Sequence, residues 1–431
     1  MTSTHASPPV AQASSASLCP RCGNGFRCGT VAGDVDCWCA RLPPLMPVPA
    51  QRRSEDTEKL AGTASCLCPA CLQRMSDSAC LLAKLPGIES TADAVLEARL
   101  RHKIDHKTKP LGALGLLEGL ALQLGLIQRH ETLTLHSPQM VVFAADHGVA
   151  AEGVSAYPQA VTVQMVGNML AGGAAVNVFA RQHGFALQVV DAGLAAELPA
   201  HPQLQPRKIA HGTRNLCKEP AMSLAQAHAA IEAGMAVVRA LPGNVVAFGD
   251  MGIANTSAAA LILARLTGVG LDDASGRGTG LDDAQLMHKR AVLGQALARH
   301  QHASQPLDVL AAVGGFEIAM MLGAMLQAAS ERRVVLVDGF IAGTAALLAH
   351  ALAPQVKDYL VFCHRSAEHG HSLLLAHLGA RPLLELDLRL GEGTGALLAW
   401  PLLQSAVCFL NEMASFDSAG VSGKVSDKKS A

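Results

Sequence analysis

The chain has 431 residues, of which 50% are hydrophobic and 16% charged, and its formal net charge is −1 at pH 7. Nucleic-acid binding through phosphate neutralisation needs a basic excess, and aromatic residues for base stacking make up only 3% of the chain. The N-terminus lacks a secretory pattern, and polar residues interrupt the apolar stretches too often for a membrane span. These features argue against nucleic-acid-binding, secreted and membrane proteins and predict a soluble cytoplasmic protein.

Nine of the twelve cysteines lie in the first 80 residues. Eight of them have local spacing that suits metal ligation, and these are Cys19, Cys22, Cys28, Cys37, Cys39, Cys66, Cys68 and Cys71. A Cys-x-x-Cys turn brings two thiolates to one tetrahedral ion, so we predict a zinc-binding module that holds up to two ions. The alternatives are disulfides or redox-active thiols, of which a reducing cytoplasm disfavours disulfides, and a module without a bound species. The spacing leaves open which cysteines share an ion.

The same region carries three short motifs: Cys-Pro-Arg-Cys-Gly at 19–23, Cys-Trp-Cys at 37–39 and Cys-Pro-Ala-Cys at 68–71. Together they resemble the small cysteine-rich family that is named after its Cys-Trp-Cys motif. That family has no defined activity to transfer. We predict a module at 18–82 with a loop at 42–64 inside it, after a disordered N-terminus at 1–17 that is rich in Ser, Ala and Pro.

Beyond residue 82, apolar runs alternate with helical patterns. Strands buried on both faces are predicted at 140–146, 187–191, 245–250, 334–338 and 359–362. Helices are predicted at 223–240, 255–266, 283–299, 316–329 and 395–413. This alternation predicts an α/β domain at 83–413 with a mostly parallel sheet covered by helices on both faces. Residues 414–431 are predicted to form a flexible tail.

Asp146, Asp250 and Asp338 each end a predicted strand and have a glycine close by in the sequence. Open α/β sheets bind ligands at the carboxyl ends of their strands, so these acids are candidate site residues. Taken singly, an acid at a strand end is equally explained as a helix cap or a turn residue.

Two glycine clusters add to this pattern. The first, at 276–280, precedes a predicted helix that carries Lys289, and its free N–H groups together with the lysine suit a phosphate. The second, at 391–395, surrounds Glu392 at the start of a predicted helix. A helix N-terminus favours the ionised carboxylate, so Glu392 is either a general base or a residue that stabilises the helix dipole.

Eight segments of this region resemble, in order along the chain, the nicotinate-nucleotide–dimethylbenzimidazole phosphoribosyltransferase family. They are residues 109–115, 145–158, 172–177, 249–256, 313–317, 337–340, 366–368 and 389–395. The resemblance implies that 5-phosphoribosyl is transferred from nicotinate mononucleotide to 5,6-dimethylbenzimidazole. The implied products are nicotinate and α-ribazole 5′-phosphate, with inversion at the anomeric carbon, in assembly of the cobalamin nucleotide loop.

The resemblance also implies roles for individual residues, with Glu392 as the general base for the benzimidazole N–H proton. The residues implied to bind the nucleotide are Gly252, Gly278, Lys289, Asp338 and Ser366, and those implied to lie near the flat base are Tyr157, Pro158, Met165 and Leu390. The family is homodimeric, and it combines a Rossmann-like large domain with a smaller helical domain built from both ends of the chain. No catalytic cofactor is implied, because the pyridinium of the donor is already a cationic leaving group.

Two positions depart from the family pattern. Asp250 stands where better-known members carry a glutamate close to the base, and Ala113 stands where many carry a serine. The first departure leaves open which aromatic base is preferred. A catalytically silent nucleotide-binding protein is the alternative from another class. A nicotinamide-dependent dehydrogenase is disfavoured, because no strand is followed by a full Gly-x-Gly-x-x-Gly.

Overall fold

The computed structural model describes residues 16–29, 32, 39, 66–278 and 280–422. The chain divides into two compact units, Met1–Leu85 and Pro86–Ala431. The predicted boundary at residue 82 lies three residues before the end of the first unit.

Among the described residues of the first unit, cysteines are prominent in the core. Strands β1 (Ala16–Leu18) and β2 (Gly25–Arg27) form an antiparallel hairpin, and helix α1 (Pro69–Lys84) begins with a proline at its first turn. Cys19, Cys68 and Cys71 are buried with Leu67, and Phe26 and other partly buried residues pack against them. Strand β1 begins two residues inside the segment that was expected to be disordered. The predicted loop at 42–64 lies outside the described residues.

The second unit is built on a six-stranded parallel sheet. Its strands are β3 (Gln139–Ala145), β4 (Ala186–Gly193), β5 (Leu204–Pro206), β6 (Val245–Met251), β7 (Val334–Val337) and β8 (Leu360–Phe362). Their order is β5-β4-β3-β6-β7-β8, and every neighbouring pair is parallel. A separate parallel pair joins β9 (His364–Arg365) to β10 (Leu384–Glu385). The α/β class and the parallel sheet are therefore confirmed, and each predicted strand lies within two residues of an observed one.

Helices separate and cover the strands of this unit. They are α2 (Ala94–Asp105), α3 (Leu116–Gln128), α4 (Ala160–Leu170), α5 (Ala175–His183), α6 (Leu224–Arg239), α7 (Asn255–Thr267), α8 (Leu271–Ala274), α9 (Asp283–Arg299), α10 (Pro306–Val313), α11 (Phe316–Ser330), α12 (Phe340–Leu352), α13 (His369–Leu378), α14 (Thr394–Glu412) and α15 (Phe416–Ala419). Helices α2 and α3 from the beginning of the unit and α14 from its end pack together. This is the smaller helical part, built from both ends of the chain, that the resemblance implied.

The packing of α6 on α11 shows how closely the helices approach each other. A Cβ atom on Gly234 of α6 would lie 1.9 Å from the Met320 carbonyl oxygen, and one on Gly323 of α11 would lie 2.0 Å from the Ile231 carbonyl oxygen. The two backbones are therefore in direct contact, which only glycine permits at these positions. Helix α11 is buried along almost its whole length, so it forms the centre of the core beside the sheet.

The C-terminal segment differs from the prediction of a flexible tail. Ser415 forms a capping box at the start of α15, and the Phe416 N–H donates to the His106 carbonyl oxygen at 3.0 Å. The Lys107 ammonium donates to the Met413 carbonyl oxygen at 2.5 Å. The two long-range bonds hold residues 413–416 against residues 106 and 107, and a Ser/Gly-rich composition does not reveal them because the partners are about 300 residues apart in sequence.

Two apolar helical stretches, Ala160–His183 and Thr394–Glu412, would be long enough to cross a membrane by length and composition. The first consists of two helices, α4 and α5, with residues 171–174 between them. Half of the second is buried inside the protein. Core helices commonly pass the same test, so neither stretch is a clear membrane span.

Candidate active site and cysteine cluster

Acidic side chains meet at the carboxyl edge of the parallel sheet. Asp146, Asp250 and Asp338 stand at the ends of the neighbouring strands β3, β6 and β7, and all three are buried. The Asn255 amide donates to one Asp250 oxygen at 2.9 Å. The sequence analysis expected these acids at one edge of the sheet, and the strand order brings them there.

Glu392 lies on a loop of unusual backbone conformation directly before α14. Gly391, Glu392 and Gly393 have φ values of +81°, +64° and +90°, so three successive residues are left-handed. At a non-glycine residue this conformation costs about 1–2 kcal/mol. The Glu392 side chain is only 2% exposed, and its Oε2 accepts from the Val176 N–H, at the start of α5, at 3.4 Å. The backbone thus bears strain at the one residue that was predicted to act as a base.

Two contacts hold this loop against the sheet. The Gly393 and Ala396 N–H groups each donate to one oxygen of Asp338, both at 3.1 Å. A Cβ atom on Gly249, in strand β6, would lie 2.2 Å from the Glu392 carbonyl oxygen, so the loop rests directly on the strand. Asp338 and strand β6 therefore hold the backbone around Glu392, and the Val176 N–H contacts its carboxylate.

Burial changes the acidity of these carboxyl groups. Burial raises the pKa of Glu392, the Val176 N–H opposes that shift, and the charge of Asp338 adds to it. The expectation that the helix N-terminus would favour the ionised form is thus outweighed by desolvation. For Asp250, burial and the charges of Asp338, Glu317 and Glu392 raise the pKa to about 8, against the bond from Asn255. Asp250 is therefore largely protonated at neutral pH.

The second predicted glycine cluster adjoins a buried lysine. Lys289 on α9 is 1% exposed, and its ammonium donates to the Thr256 hydroxyl at 2.9 Å and to the Gly276 carbonyl oxygen at 3.2 Å. Burial lowers the pKa of Lys289 to about 8, and the charge of Glu368 opposes that shift. Three of the residues predicted to bind the nucleotide, Gly252, Gly278 and Lys289, line one small cavity. Arg277 lines the same cavity, so two cationic side chains and a glycine-rich loop border it, which suits a phosphate.

Ser366 contacts the backbone of Glu368, the residue whose charge acts on Lys289. Its N–H donates to Nδ1 of His371 at 3.0 Å, and its hydroxyl accepts from the Glu368 N–H at 3.3 Å. Burial raises the pKa of Glu368, and its Oε2 has no hydrogen-bond partner among the described residues. Burial lowers the pKa of His371 to about 3, so this imidazole is neutral and accepts the bond from Ser366.

The residues predicted to lie near the flat base are on three segments. Tyr157 and Pro158 are exposed in the loop before α4, Met165 is half-buried on α4, and Leu390 is exposed in the loop before α14. The Ile253 N–H donates to the Thr162 hydroxyl at 3.1 Å, which ties α4 to the segment that contains Gly252. Their contact with a base stays a prediction.

One buried pair was not singled out from the sequence. His147 Nε2 lies 2.7 Å from Glu317 Oε1, and both side chains are fully buried. Burial lowers the pKa of His147, but the charge of Glu317 outweighs burial and raises it. Both residues occur in segments that carry the family resemblance, Asp-His-Gly and Gly-Gly-Phe-Glu, and a titratable residue beside glycines was the available signal.

In the first unit, four cysteines converge. The sulfur atoms of Cys19, Cys22, Cys68 and Cys71 all lie within 4.8 Å of one another, and those of Cys22 and Cys68 are 3.6 Å apart. Burial raises the pKa of Cys19, but hydrogen bonds from the backbone of Cys68, Arg21 and Cys22 outweigh burial and lower it to about 6.

The other predicted metal ligands are placed differently. Cys28 is buried, Cys39 is half-buried and Cys66 is exposed, and none of them belongs to the group of four. Cys37 lies outside the described residues. The described part of the chain therefore brings together one set of four thiols and not two.

Comparison with known proteins agrees with this division. Residues 90–421 match a family described as phosphoribosyltransferase, and residues 19–73 match a family described as cysteine-rich CWC. The second unit also resembles the crystal structure of CobT from Thermus thermophilus, with a TM-score of 0.74 and 47% sequence identity over 76% of this chain and 99% of that chain.

Several curated relatives are more similar in sequence. The nicotinate-nucleotide–dimethylbenzimidazole phosphoribosyltransferase of Cupriavidus taiwanensis is 62% identical over 79% of this chain and 98% of its own length. The proteins of the same name from Cupriavidus necator and Variovorax paradoxus are 63% and 59% identical over 79% of this chain and 99% and 97% of their own lengths. The chain therefore belongs to the nicotinate-nucleotide–dimethylbenzimidazole phosphoribosyltransferases, a family of pentosyl-transferring enzymes, and it carries a cysteine-rich CWC unit at its N-terminus.

Proposed function

We propose that this enzyme transfers 5-phosphoribosyl from nicotinate mononucleotide to 5,6-dimethylbenzimidazole, releasing nicotinate and α-ribazole 5′-phosphate for the cobalamin nucleotide loop. The observation that carries the proposal is the buried Glu392 carboxylate on its strained loop at the carboxyl edge of the sheet. The names of the relatives support the two substrates.

Glu392 is the proposed general base. It takes the N–H proton of the benzimidazole while the other ring nitrogen forms a bond to the anomeric carbon. The bond from that carbon to the pyridinium nitrogen breaks, its electron pair stays with nicotinate, and the anomeric carbon inverts. A raised pKa improves such a base, because the driving force for proton transfer grows as the pKa approaches the working pH.

Buried acids support the departure of the donor pyridine. Glu392, Asp338 and Glu317 lie near Asp250, whose pKa each of their charges raises. Such a group of negative charges favours positive charge nearby, and the ribosyl centre becomes oxocarbenium-like as the bond to nicotinate breaks. The Glu317 charge is balanced in part by its contact with His147.

The phosphate of the donor is assigned to the cavity beside Lys289. A phosphate there would add a second anion next to the ammonium and keep it protonated despite burial. Gly252 and Gly278 line the same cavity, and Ser366 lies beyond Glu368 as a further polar contact. The flat base is assigned to the segments with Tyr157, Met165 and Leu390.

The experiment that tests this function measures the product. The purified chain is incubated with nicotinate mononucleotide and a panel of bases that includes 5,6-dimethylbenzimidazole, adenine and a phenol, and each ribotide is identified by mass. We expect α-ribazole 5′-phosphate with release of an equal amount of nicotinate. Absence of any ribotide with every base would contradict the proposal.

The panel also addresses Asp250. The family resemblance places this residue near the base, and aspartate is one methylene shorter than glutamate. We expect Asp250→Glu to change the ratio of turnover between 5,6-dimethylbenzimidazole and adenine. An unchanged ratio would mean that Asp250 does not contribute to the choice of base.

We also propose that Cys19, Cys22, Cys68 and Cys71 bind one zinc ion that stabilises the first unit. A tetrahedral site with zinc–sulfur bonds of about 2.3 Å requires sulfur atoms about 3.8 Å apart. The Cys22–Cys68 separation of 3.6 Å and the 4.8 Å limit for the whole set fit this requirement. Four thiolates close the coordination shell, so the ion would have no open position for substrate and a structural role is favoured.

Metal analysis tests this site. We expect one zinc per chain in the unaltered protein and loss of most of it in the double variant Cys68→Ser/Cys71→Ser. Cys80→Ser, an exposed cysteine of the same helix α1, is the matched control and retains the ion. Two ions per chain would show that further cysteines among the eight also bind metal, and no ion in the unaltered protein would contradict the proposal.

Two further parts of the proposal follow from the family and from the thiols. We propose a homodimer, which sedimentation of the purified chain would test. We propose a cytoplasmic location, because a reducing compartment keeps the four cysteines as free thiols that can bind metal.

A further inference from the structure

Asp338 was assigned to substrate binding by family resemblance, but its contacts point to the loop that carries Glu392. Its side chain is fully buried, directly after strand β7. One oxygen accepts from the Gly393 N–H and the other from the Ala396 N–H, both at 3.1 Å. Both carboxylate oxygens are therefore occupied by backbone groups of the segment that begins α14.

A third contact comes from strand β9. Nε2 of His364 lies 3.4 Å from the Asp338 oxygen that also accepts from Ala396. A Cβ atom on Gly395 would lie 2.0 Å from Cδ2 of His364, so the first turn of α14 packs directly on this imidazole. Asp338 and His364 together form a buried support under the beginning of α14.

The loop needs such a support because its backbone is unfavourable on its own. Three successive left-handed residues include Glu392, where a side chain makes this conformation costly. Strained residues persist only where the surrounding structure holds them in place. The two bonds to Asp338 flank Glu392 on its C-terminal side, and the Val176 N–H holds the end of its side chain.

We propose that Asp338 is a positioning residue that fixes the 391–396 segment, and with it the Glu392 carboxylate, without contacting either substrate. This inference rests on the proposed role of Glu392 as the general base. It assigns to Asp338 a role in proton transfer that acts through another side chain.

The charge of Asp338 has a separate, measurable consequence. The groups that face Glu392 are the Val176 N–H from α5, Asp250 from β6 and Asp338 from β7, with His364 behind Asp338. Because the pKa of Asp250 is about 8, Asp250 is mostly uncharged near neutral pH, whereas the charge of Asp338 raises the pKa of Glu392. Removal of the Asp338 charge therefore shifts the ionisation of Glu392 to lower pH.

The test compares Asp338→Asn with the unaltered enzyme in the full chain. Asparagine keeps one oxygen acceptor but loses the charge and the second acceptor. We expect kcat to fall at least tenfold, KM for both substrates to change less than threefold, and the acidic limb of the kcat profile to move to lower pH. A merely structural residue would not move that limb.

Asp191→Asn is the matched control. Asp191 is also a buried acid near the carboxyl end of a strand of the same sheet, and it accepts from the Leu194 N–H at 2.8 Å, away from the 391–396 segment. We expect the acidic limb of the kcat profile of Asp191→Asn to stay at the pH of the unaltered enzyme. An equal shift in both variants would overturn the inference, because the effect would then be general.

A different pattern in Asp338→Asn would also overturn it. A large rise in KM for nicotinate mononucleotide with unchanged kcat and unchanged pH limb would mean that Asp338 binds the donor. Glu392→Gln is measured alongside: if that variant retains full turnover, it is the proposed base that fails. If Glu392→Gln is inactive and Asp338→Asn changes only KM, the positioning role alone fails.

Amide exchange in the unaltered chain keeps the inference testable if Asp338→Asn does not fold. We expect slow exchange of the Gly393 and Ala396 amides, because each donates to a buried carboxylate. Rapid exchange of both amides would contradict the support proposed for this loop. Asp338→Ser, which is smaller and still an acceptor, serves as the second variant and is expected to show the same loss of kcat and the same shift of the limb.

Discussion

Different interactions stabilise the two units of this chain, each considered by itself. The α/β unit buries an almost continuous apolar sheet and helix α11, whereas the described core of the first unit is built on Cys19, Cys68 and Cys71 beside Leu67. A small unit whose described core is rich in thiols commonly depends on a metal or on cross-links for its stability. Cysteines are thus prominent in the described core of one unit, whereas the apolar core of the other unit surrounds the buried carboxyl groups of the candidate site.

Loss of the metal ligands should produce the largest difference in behaviour between the two units. We expect Cys68→Ser/Cys71→Ser to unfold the first unit, because structural zinc contributes about 10–16 kcal/mol in small metal-dependent domains. Transferase turnover should stay within twofold of the unaltered chain. Hydrogen exchange resolved by peptide measures both units in one sample. An equal loss of protection in the strands of the parallel sheet would show that the two units do not differ in their dependence on the cysteines.

The helix contact in the α/β unit should give the next largest effect. Gly234→Ala places a Cβ atom 1.9 Å from the Met320 carbonyl oxygen, so we expect the free energy of unfolding to fall by about 3 kcal/mol. Gly294→Ala on α9 is the control, because a Cβ atom there meets nothing within 4 Å. Urea denaturation followed by circular dichroism should show a small gain for Gly294→Ala, and equal losses would refute the close approach of α6 and α11.

The buried acid Asp250 should make stability depend on pH. Its pKa is about 8 in the folded chain and 3.8 ordinarily, so the folded state binds the extra proton between those values. The contribution of Asp250 to the free energy of unfolding is therefore greatest below about pH 4 and falls as the pH rises towards 8. We expect Asp250→Asn to be more stable than the unaltered chain at pH 9, by on the order of 2 kcal/mol, with little difference at low pH. A constant difference at all pH values would contradict the raised pKa.

Lys289 should affect donor binding more modestly. Loss of one charge-assisted bond to phosphate costs about 1.5–3 kcal/mol, so Lys289→Met should raise KM for nicotinate mononucleotide about 10–100-fold. In the unaltered enzyme, kcat/KM should fall as pH rises above about 8, because the ammonium then loses its proton. Lys218→Met, at an exposed site, is the control. If the alkaline fall persists in Lys289→Met, it belongs to another group such as Asp250.

Much of the fold could be predicted because buried strands have a simple pattern of apolar residues in the sequence. Strands buried on both faces read as unbroken apolar runs, and the predicted bounds of β3 and β6 therefore fall within a residue or two of the observed ones. The acids that follow those runs fall at one edge because the strands are parallel.

The rest depends on contacts between distant residues. The sequence favoured an ionised Glu392 at a helix start, but burial by β6 and α5 and the charge of Asp338, 54 residues earlier, raise its pKa instead. Cysteine spacing offered eight ligands, and only the fold shows that the turn at Cys19–Cys22 meets the one at Cys68–Cys71. The contacts of residues 414–416 likewise come from partners near residue 107.

The central claim is that Glu392 removes a proton during transfer, and one comparison tests it most directly. Turnover of nicotinate mononucleotide with 5,6-dimethylbenzimidazole is measured for Glu392→Gln and for Glu412→Gln, an exposed glutamate of α14. We predict that kcat of Glu392→Gln falls about 10²–10⁴-fold with nearly unchanged KM, whereas Glu412→Gln keeps full activity. Full turnover in Glu392→Gln would contradict the account.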